Sequence, residues 1–396
     1  MTNSKKKLHP NLLNIFKKNI LTEYRIILKL KTHSKNLLKK FTSTTQCKLI
    51  HYINHLNIVC LIVNHRFLSK LIDYPEVDYI CLDSEVYLSG NKSFSNEKFS
   101  DSKTITNNSS LTGKNITVGI IDSGIYPHDF FKKPLNRIIF FKDLINDITY
   151  PYDDNGHGTA MCNIIGDKFI YKNTLIKNAY ECNFCMIKAF DKYNKSYSSL
   201  IFKALELLIE HSDSLNIQTI CLPFELIEFN DFILSIYQNL FDNLSSKNIL
   251  IVLPIGNNLS NYSSLKGLAL LNNCLTIGGL NKIESSLGIS KLLKPTLVSI
   301  YDRIYLLNID SKYVSQRDNQ YIYPPKLNKL LVEYFGTSCS CAYVCGLLTI
   351  LKEKNPSINI KDTISLLKLC CNKDKDKDTD NSIQGFGTIN INQLLE

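Results

Sequence analysis

The sequence predicts an α/β protein: a parallel sheet with helices on both faces, preceded by a small α+β unit. From about residue 114 onward, short apolar runs alternate with amphipathic helical patterns, the grammar of a buried parallel sheet. Before residue 90 the signals come instead in the order βαββαβ. Between these two regions, residues 91–113 are rich in Ser, Asn and Lys and lack periodicity, which marks a linker. With 396 residues, 44% of them hydrophobic and 21% charged, the chain can bury a sizeable core in two domains and is no disordered tail.

Taken in order, residues 1–22 hold a basic helix with Leu12, Leu13, Phe16 and Ile20 at helical spacing. Residues 24–31 read as a strand, and Leu37, Leu38 and Phe41 as a short helix. Two strands follow at Cys47–Ile53 and 57–63, then a helix carrying Phe67, Leu68, Leu71 and Ile72, then a strand at Val77–Leu82. Residues 23–90 thus form a ferredoxin-like sandwich, an arrangement too common to indicate function alone. Residues 114–396 form the larger domain. Strands are expected there at 116–121, 185–189, 219–222, 249–253 and 275–277, and helices after His157, over 198–211 and 231–245, and after Ser338.

Residues 1–50 carry twelve Lys/Arg against one acid, Glu23, so nearly the whole net charge of +10 sits at one end. A basic end suits nucleic acid or an acidic membrane surface; a solvated face is the simpler reading, and no nucleic-acid partner is expected. Lys5, Lys6 and Lys7 resemble the start of a secretory signal, but Asn14, Lys17 and Lys18 interrupt any apolar stretch behind them. The longest apolar runs, such as 249–255, are too short to span a bilayer. Together with an odd count of thirteen cysteines, this favours reduced thiols and a cytoplasmic location, with non-classical export left open. Cys182 and Cys185 form the one C-x-x-C pair; without a second pair or nearby histidines, zinc or redox chemistry is a minor reading. The remaining cysteines read as small core residues, and no cofactor or metal is expected. Residues 373–380 alternate Lys and Asp as a solvated loop, with a weak cation site as the alternative.

Four short stretches carry chemistry. Val118-Gly-Ile-Ile-Asp122-Ser-Gly124 is an apolar strand ending in an acid, and the ends of parallel strands are where sites form. A lone Asp there also serves as a turn residue. Asp153-Asp-Asn-Gly-His157-Gly-Thr-Ala-Met161 places a histidine between glycines at a helix start, where the imidazole stays neutral as a general base must; it also fits a histidine capping its own helix. Residues 249–258 form a buried strand followed by Gly256 and Asn257. The Asn257 amide there can donate to an oxyanion, although Gly-Asn is equally a turn signal. Gly336-Thr337-Ser338 opens a helix of small residues, which seats the hydroxyl where backbone N–H groups and the helix dipole favour negative charge. It is also an ordinary helix cap.

In the order Asp122, His157, Asn257, Ser338, the chain resembles the subtilisin-like serine peptidases. The resemblance covers roughly residues 113–396 and extends to Gln384-Gly-Phe-Gly-Thr-Ile-Asn390-Ile391 and to Lys294-Pro-Thr-Leu-Val298. It implies a subtilisin-like parallel sheet and an endopeptidase. Ser338 would be the nucleophile, His157 the base, Asp122 the group fixing its tautomer, and Asn257 an oxyanion donor. It implies that Cys221, Leu222, Pro223 and Gly256 border the bound peptide, and that residues 23–90 are an inhibitory pro-domain acting in cis, with a junction within 85–112. Members of that family often carry structural calcium, but no clean loop for it stands out here.

Three departures bear on activity. The helix after Ser338 reads Cys339-Ser-Cys-Ala-Tyr343 where the family has Met-Ala-x-Pro-His. Residues 220–224 put Pro223 and bulk where a Ser-Leu-Gly-Gly strand pairs with substrate, and Ser299-Ile-Tyr301 replaces Ala-Pro-Gly. No catalytic group is lost, but the altered wall predicts narrow-specificity processing of a peptide or protein. The alternatives are a catalytically idle peptide-binding relative and, less favoured, a nucleophile at Cys339 or Cys341.

Overall fold

The computed structural model describes residues 6–19, 21–33, 35–93, 103–105, 110–172, 174–257, 266–280, 285, 288–373 and 381–396. They fall into two compact units: residues 1–85 with 197–206, and residues 86–196 with 207–396. In the first, strands Glu23–Leu30, Cys47–Ile53, Ile58–Asn64 and Val77–Leu82 form one antiparallel sheet. The first strand lies between the third and the fourth. Alternation along Glu23–Leu30 buries Tyr24, Ile26, Leu28 and Leu30, which pack with Phe67, Leu68, Leu71 and Ile72 of the helix His65–Asp73. That helix is capped by Asn64, whose side chain accepts from the Phe67 N–H at 2.8 Å.

The second unit is built on seven parallel strands. Their spatial order is Leu297–Ser299, Leu275–Gly279, Leu250–Pro254, Ile217–Cys221, Thr117–Asp122, Asn183–Lys188, Ile138–Asp143. All six residues of Thr117–Asp122 are buried, as a strand covered on both faces requires. From this strand the chain steps to the Ile138–Asp143 edge, returns through Asn183–Lys188, then builds the other half outward. The winding therefore reverses at Thr117–Asp122, and the carboxyl end of a strand at such a reversal is where open α/β sheets place their sites.

Two helices run inside this unit rather than on its surface. His157–Gly166 is buried at all ten positions, and Thr337–Lys354 over residues 337–352. They approach closely because the second carries Cys339, Ser340, Cys341, Ala342, Cys345 and Gly346; a methyl added at Gly346 would collide with the Asn178 amide. The solvent-facing helix Asp231–Ser246 shows the ordinary amphipathic pattern, burying Ile233, Ile236, Tyr237, Leu240, Phe241 and Leu244. All thirteen cysteines are free and eleven are buried, filling space as small apolar residues.

The stretch expected to be a linker contains two short strands. Asn91–Ser93 pairs antiparallel with Leu331–Phe335, and Lys103–Ile105 pairs parallel with Thr174–Lys177. Residues 94–102 and 106–109 of that stretch lie outside the described residues, as do 374–380 of the Lys/Asp run, Ile20 of the first helix and Asn258. No helix among the described residues is long and apolar enough to cross a membrane.

Candidate active site

Asp122 ends the central strand, and its carbonyl accepts the N–H groups of Ala189 and Phe190, which fixes the strand end. Its carboxylate faces His157 Nδ1 at 2.9 and 3.0 Å, with both side chains buried. Burial alone pushes the imidazole down; the Asp122 carboxylate, helped by the Ser89 carbonyl and Asp153, more than offsets it, so His157 titrates above its ordinary value.

The histidine is held by residues that sequence reasoning did not single out. Asp153 Oδ1 accepts from Ser123 Oγ at 2.9 Å, from the Gly156 N–H at 2.8 Å and from the Asn155 N–H at 3.1 Å. Its Oδ2 accepts from the Thr159 N–H and hydroxyl at 2.9 and 2.6 Å. Ser123 Oγ in turn accepts from the Gly158 N–H at 2.9 Å, and a methyl at Gly158 would collide with the Gly124 carbonyl. Burial opposes ionisation of Asp153; Lys188 and the Thr159 and Gly156 donors prevail and hold its pKa below the usual value. Lys188, fully buried, donates to the Ser123 and Phe190 carbonyls and to Asp154 Oδ1, at 2.6 to 3.0 Å. The acidic pair 153–154 and a lysine closing an apolar strand were the available signals.

Ser338 lies in the first turn of its helix, buried, and its Oγ makes no hydrogen bond of good geometry among the described residues. The helix is entered through Gly336 at φ +131°, with the Cys339 N–H donating to the Gly336 carbonyl at 3.1 Å. Asn257 follows Gly256, also left-handed at φ +110°, just past the strand Leu250–Pro254. Asn257 Oδ1 accepts the Thr337 N–H at 3.0 Å, which ties the amide to the Ser338 turn.

The cleft is occupied by the chain itself. Residues 86–88 pair antiparallel with Phe224–Leu226, the Leu88 N–H donates to the Asn194 carbonyl at 3.1 Å, and the Ser89 N–H to the Pro223 carbonyl at 3.0 Å. His157 Nε2 stands 3.3 Å from the Ser89 carbonyl, and Asn257 Nδ2 donates to Ser89 Oγ at 2.8 Å. A methyl added at Gly90 (φ +132°) would collide with Ser338 Oγ, so the backbone passes directly over the hydroxyl. Beside it a cavity of about 590 Å³ is lined by Gly90, Asn155, His157, Tyr193, Lys312 and Tyr334.

Of the residues expected to border substrate, Pro223 meets the strand through its carbonyl and Gly256 positions Asn257. Cys221 turns inward, its Sγ 3.7 Å from Cys341 Sγ, and the Leu222 N–H stays in the sheet with the Val252 carbonyl. Burial pushes the thiols of Cys182, Cys185 and Cys339 up to about 12 and raises that of Cys341, which disfavours the thiolate form at each. Among the described residues no cluster of His, Cys, Asp or Glu is arranged to hold a metal.

The profile of the subtilase family, Peptidase_S8, matches residues 113–387. The chain is 23% identical over 311 residues to the serine protease AprX of Bacillus subtilis, covering 73% of this chain and 68% of that one. Over a shorter stretch of 58 residues it is 47% identical to the minor extracellular protease Epr of the same organism, spanning 15% of this chain and 8% of that one. Among solved structures it resembles fervidolysin from Fervidobacterium pennivorans, described as a keratinolytic enzyme related to subtilisin, with a TM-score of 0.69 at 14% identity. That alignment covers 94% of this chain, which spans 61% of the fervidolysin chain.

Proposed function

The chain belongs to the subtilase family of serine peptidases, and on that premise we propose that Asp122, His157 and Ser338 hydrolyse peptide bonds through an acyl-enzyme. Ser338 Oγ attacks the carbonyl carbon while His157 Nε2 takes its proton. Asp122 keeps the other imidazole proton on Nδ1 and stabilises the imidazolium. The oxyanion is held by Asn257 Nδ2 and the Ser338 N–H at the helix start. His157 then returns the proton to the leaving amine, and water repeats the sequence on the ester. Every group used belongs to this chain.

The observation that carries this reading is the buried Asp122–His157 pair, at 2.9 Å, beside a backbone that pairs with 224–226 and passes over Ser338 at Gly90. The same crossing supports residues 23–90 as a pro-domain acting in cis, since the segment in the cleft, residues 86–90, is the end of that stretch. Bulk along 220–226 supports a narrow range of protein or peptide substrates. The thirteen free thiols support a reducing compartment as the place of work.

Intact mass of wild type beside Ser338→Ala tests this. Wild type alone should lose an N-terminal piece of about 90 residues, and a variant that cleaved equally would end the assignment. A second reading, an idle peptide binder, is favoured by one observation: His157 Nε2 faces the Ser89 carbonyl rather than Ser338 Oγ. Failure of the folded protein to form a fluorophosphonate adduct at Ser338 would select it.

A further inference from the structure

Glu225 stands in the middle of the strand Phe224–Leu226, opposite Tyr87 of the segment in the cleft. Its Oε1 accepts a hydrogen bond from Ser89 Oγ at 2.6 Å and another from the Asn257 N–H at 3.1 Å. The carboxyl is thus tied to the loop that carries Asn257 and presented to the side chain of the residue whose following bond passes over Ser338. Ser89 itself is buried. Glu225 itself lines a cavity of about 40 Å³ with Phe224, Leu226, Pro254, Ile255 and Lys266, little more than the share of one liquid water.

We propose that Glu225 is the specificity-determining residue for the side chain preceding the cleaved bond, and that it selects serine; the proposal rests on the peptidase reading above. An ionised carboxylate only accepts hydrogen bonds, so the partner must bring a donor. A serine hydroxyl does so within the space present. Alanine fits but leaves a partly desolvated oxygen short of a donor. The cavity of about 40 Å³ adds little space for a longer side chain. Burial holds the Glu225 carboxyl above its ordinary value, and the Ser89 hydroxyl and the Asn257 N–H offset part of that rise by donating to the ionised form. In the chain's own sequence the bond so defined is Ser89–Gly90. Its hydrolysis adds water, leaving the Ser89 carboxylate and the Gly90 ammonium.

Two readouts on the full-length chain separate this proposal from the peptidase reading. In Ser338→Ala protein, hydrogen exchange at the Leu88 and Ser89 amides reports how firmly the segment is seated, independent of catalysis. Ser89→Ala and Glu225→Ala should each raise the exchange rate about tenfold to a hundredfold, and the double variant no further. Effects that multiply in the double variant would overturn the proposal even if the enzyme is active. In the Ser338-intact protein, peptides spanning the sequence 86–93 should be cut about tenfold to a hundredfold better with Ser than with Ala at the Ser89 position. Glu225→Ala should abolish that preference, and an unchanged Ser/Ala ratio would equally overturn the proposal. If no peptide is cut and no fluorophosphonate adduct forms, the peptidase reading falls, while the exchange data still decide the role of Glu225.

Discussion

Around His157 almost every polar atom is held by another polar atom of the same small region, whereas the wall at 221–226 offers mainly bulk and one carboxylate. On the first side, Asp153, Ser123, Thr159 and Lys188 leave the imidazole a single orientation, at a helix start where glycine permits close approach. On the second, Pro223 contributes a carbonyl but no N–H, and Glu225 is fixed by the Asn257 N–H. The difference is one of constraint: the groups around His157 are tied to one another, whereas the side chains along 221–226 carry few polar ties beyond Glu225.

The largest expected effect breaks the first side. Ser338→Ala should lower kcat by about 10⁶, a magnitude taken from subtilisin itself, read as peptide hydrolysis by the processed protein. Asp122→Asn should cost about 10⁴ by leaving His157 in the wrong tautomer. The pH profile sharpens the same point. The base must be neutral, so kcat/KM should fall as pH drops through the pKa of His157. Because Asp122 raises that pKa, the acid limb should lie above the ordinary histidine value of about 6.5. An acid limb below that value would contradict the pairing. Removing the buried cation with Lys188→Met should leave Asp153 and Asp154 uncompensated and cost about 3–5 kcal/mol in denaturant unfolding. Asn257→Ala joins the two sides: it should lower kcat by about 10²–10³ and also loosen residues 86–93, measured as faster exchange at Ser89. Smallest is Cys339→Ala, buried beside Ser338 but pointing into the core; the rate should change less than threefold, with stability lost by about 1 kcal/mol.

Much of this was legible because it is local. Asp122 announces itself as the acid closing an apolar strand, and His157 and Ser338 as polar residues opening helices after glycine. The helix expected over 198–211 coincides with Ser198–His211, because its apolar spacing and its burial have the same period. The edge strand Ile138–Asp143 escaped notice because only Ile138 and Asp143 are fully buried, so no alternation marks it. The strand expected over 219–222 keeps its tie to the sheet through the Leu222 N–H; the chain then turns at Pro223 and starts a separate strand at Phe224, which no local pattern announces. Glu225 was invisible for another reason. Its significance depends on a segment 136 positions earlier lying against it, and no local pattern encodes that meeting.

The cysteine-filled interior has a use beyond packing. Cys47, Cys60 and Cys81 are buried in the first unit, and Cys162, Cys182, Cys185, Cys221, Cys339, Cys341, Cys345 and Cys370 in the second. A thiol kept protonated by burial ignores alkylating reagents until the surrounding structure opens. Each opening then leaves a permanent mass increment at an identifiable position in the chain. The protein therefore carries two sets of built-in clocks, and peptide mapping after timed alkylation would give separate opening rates for the two units without any engineered probe.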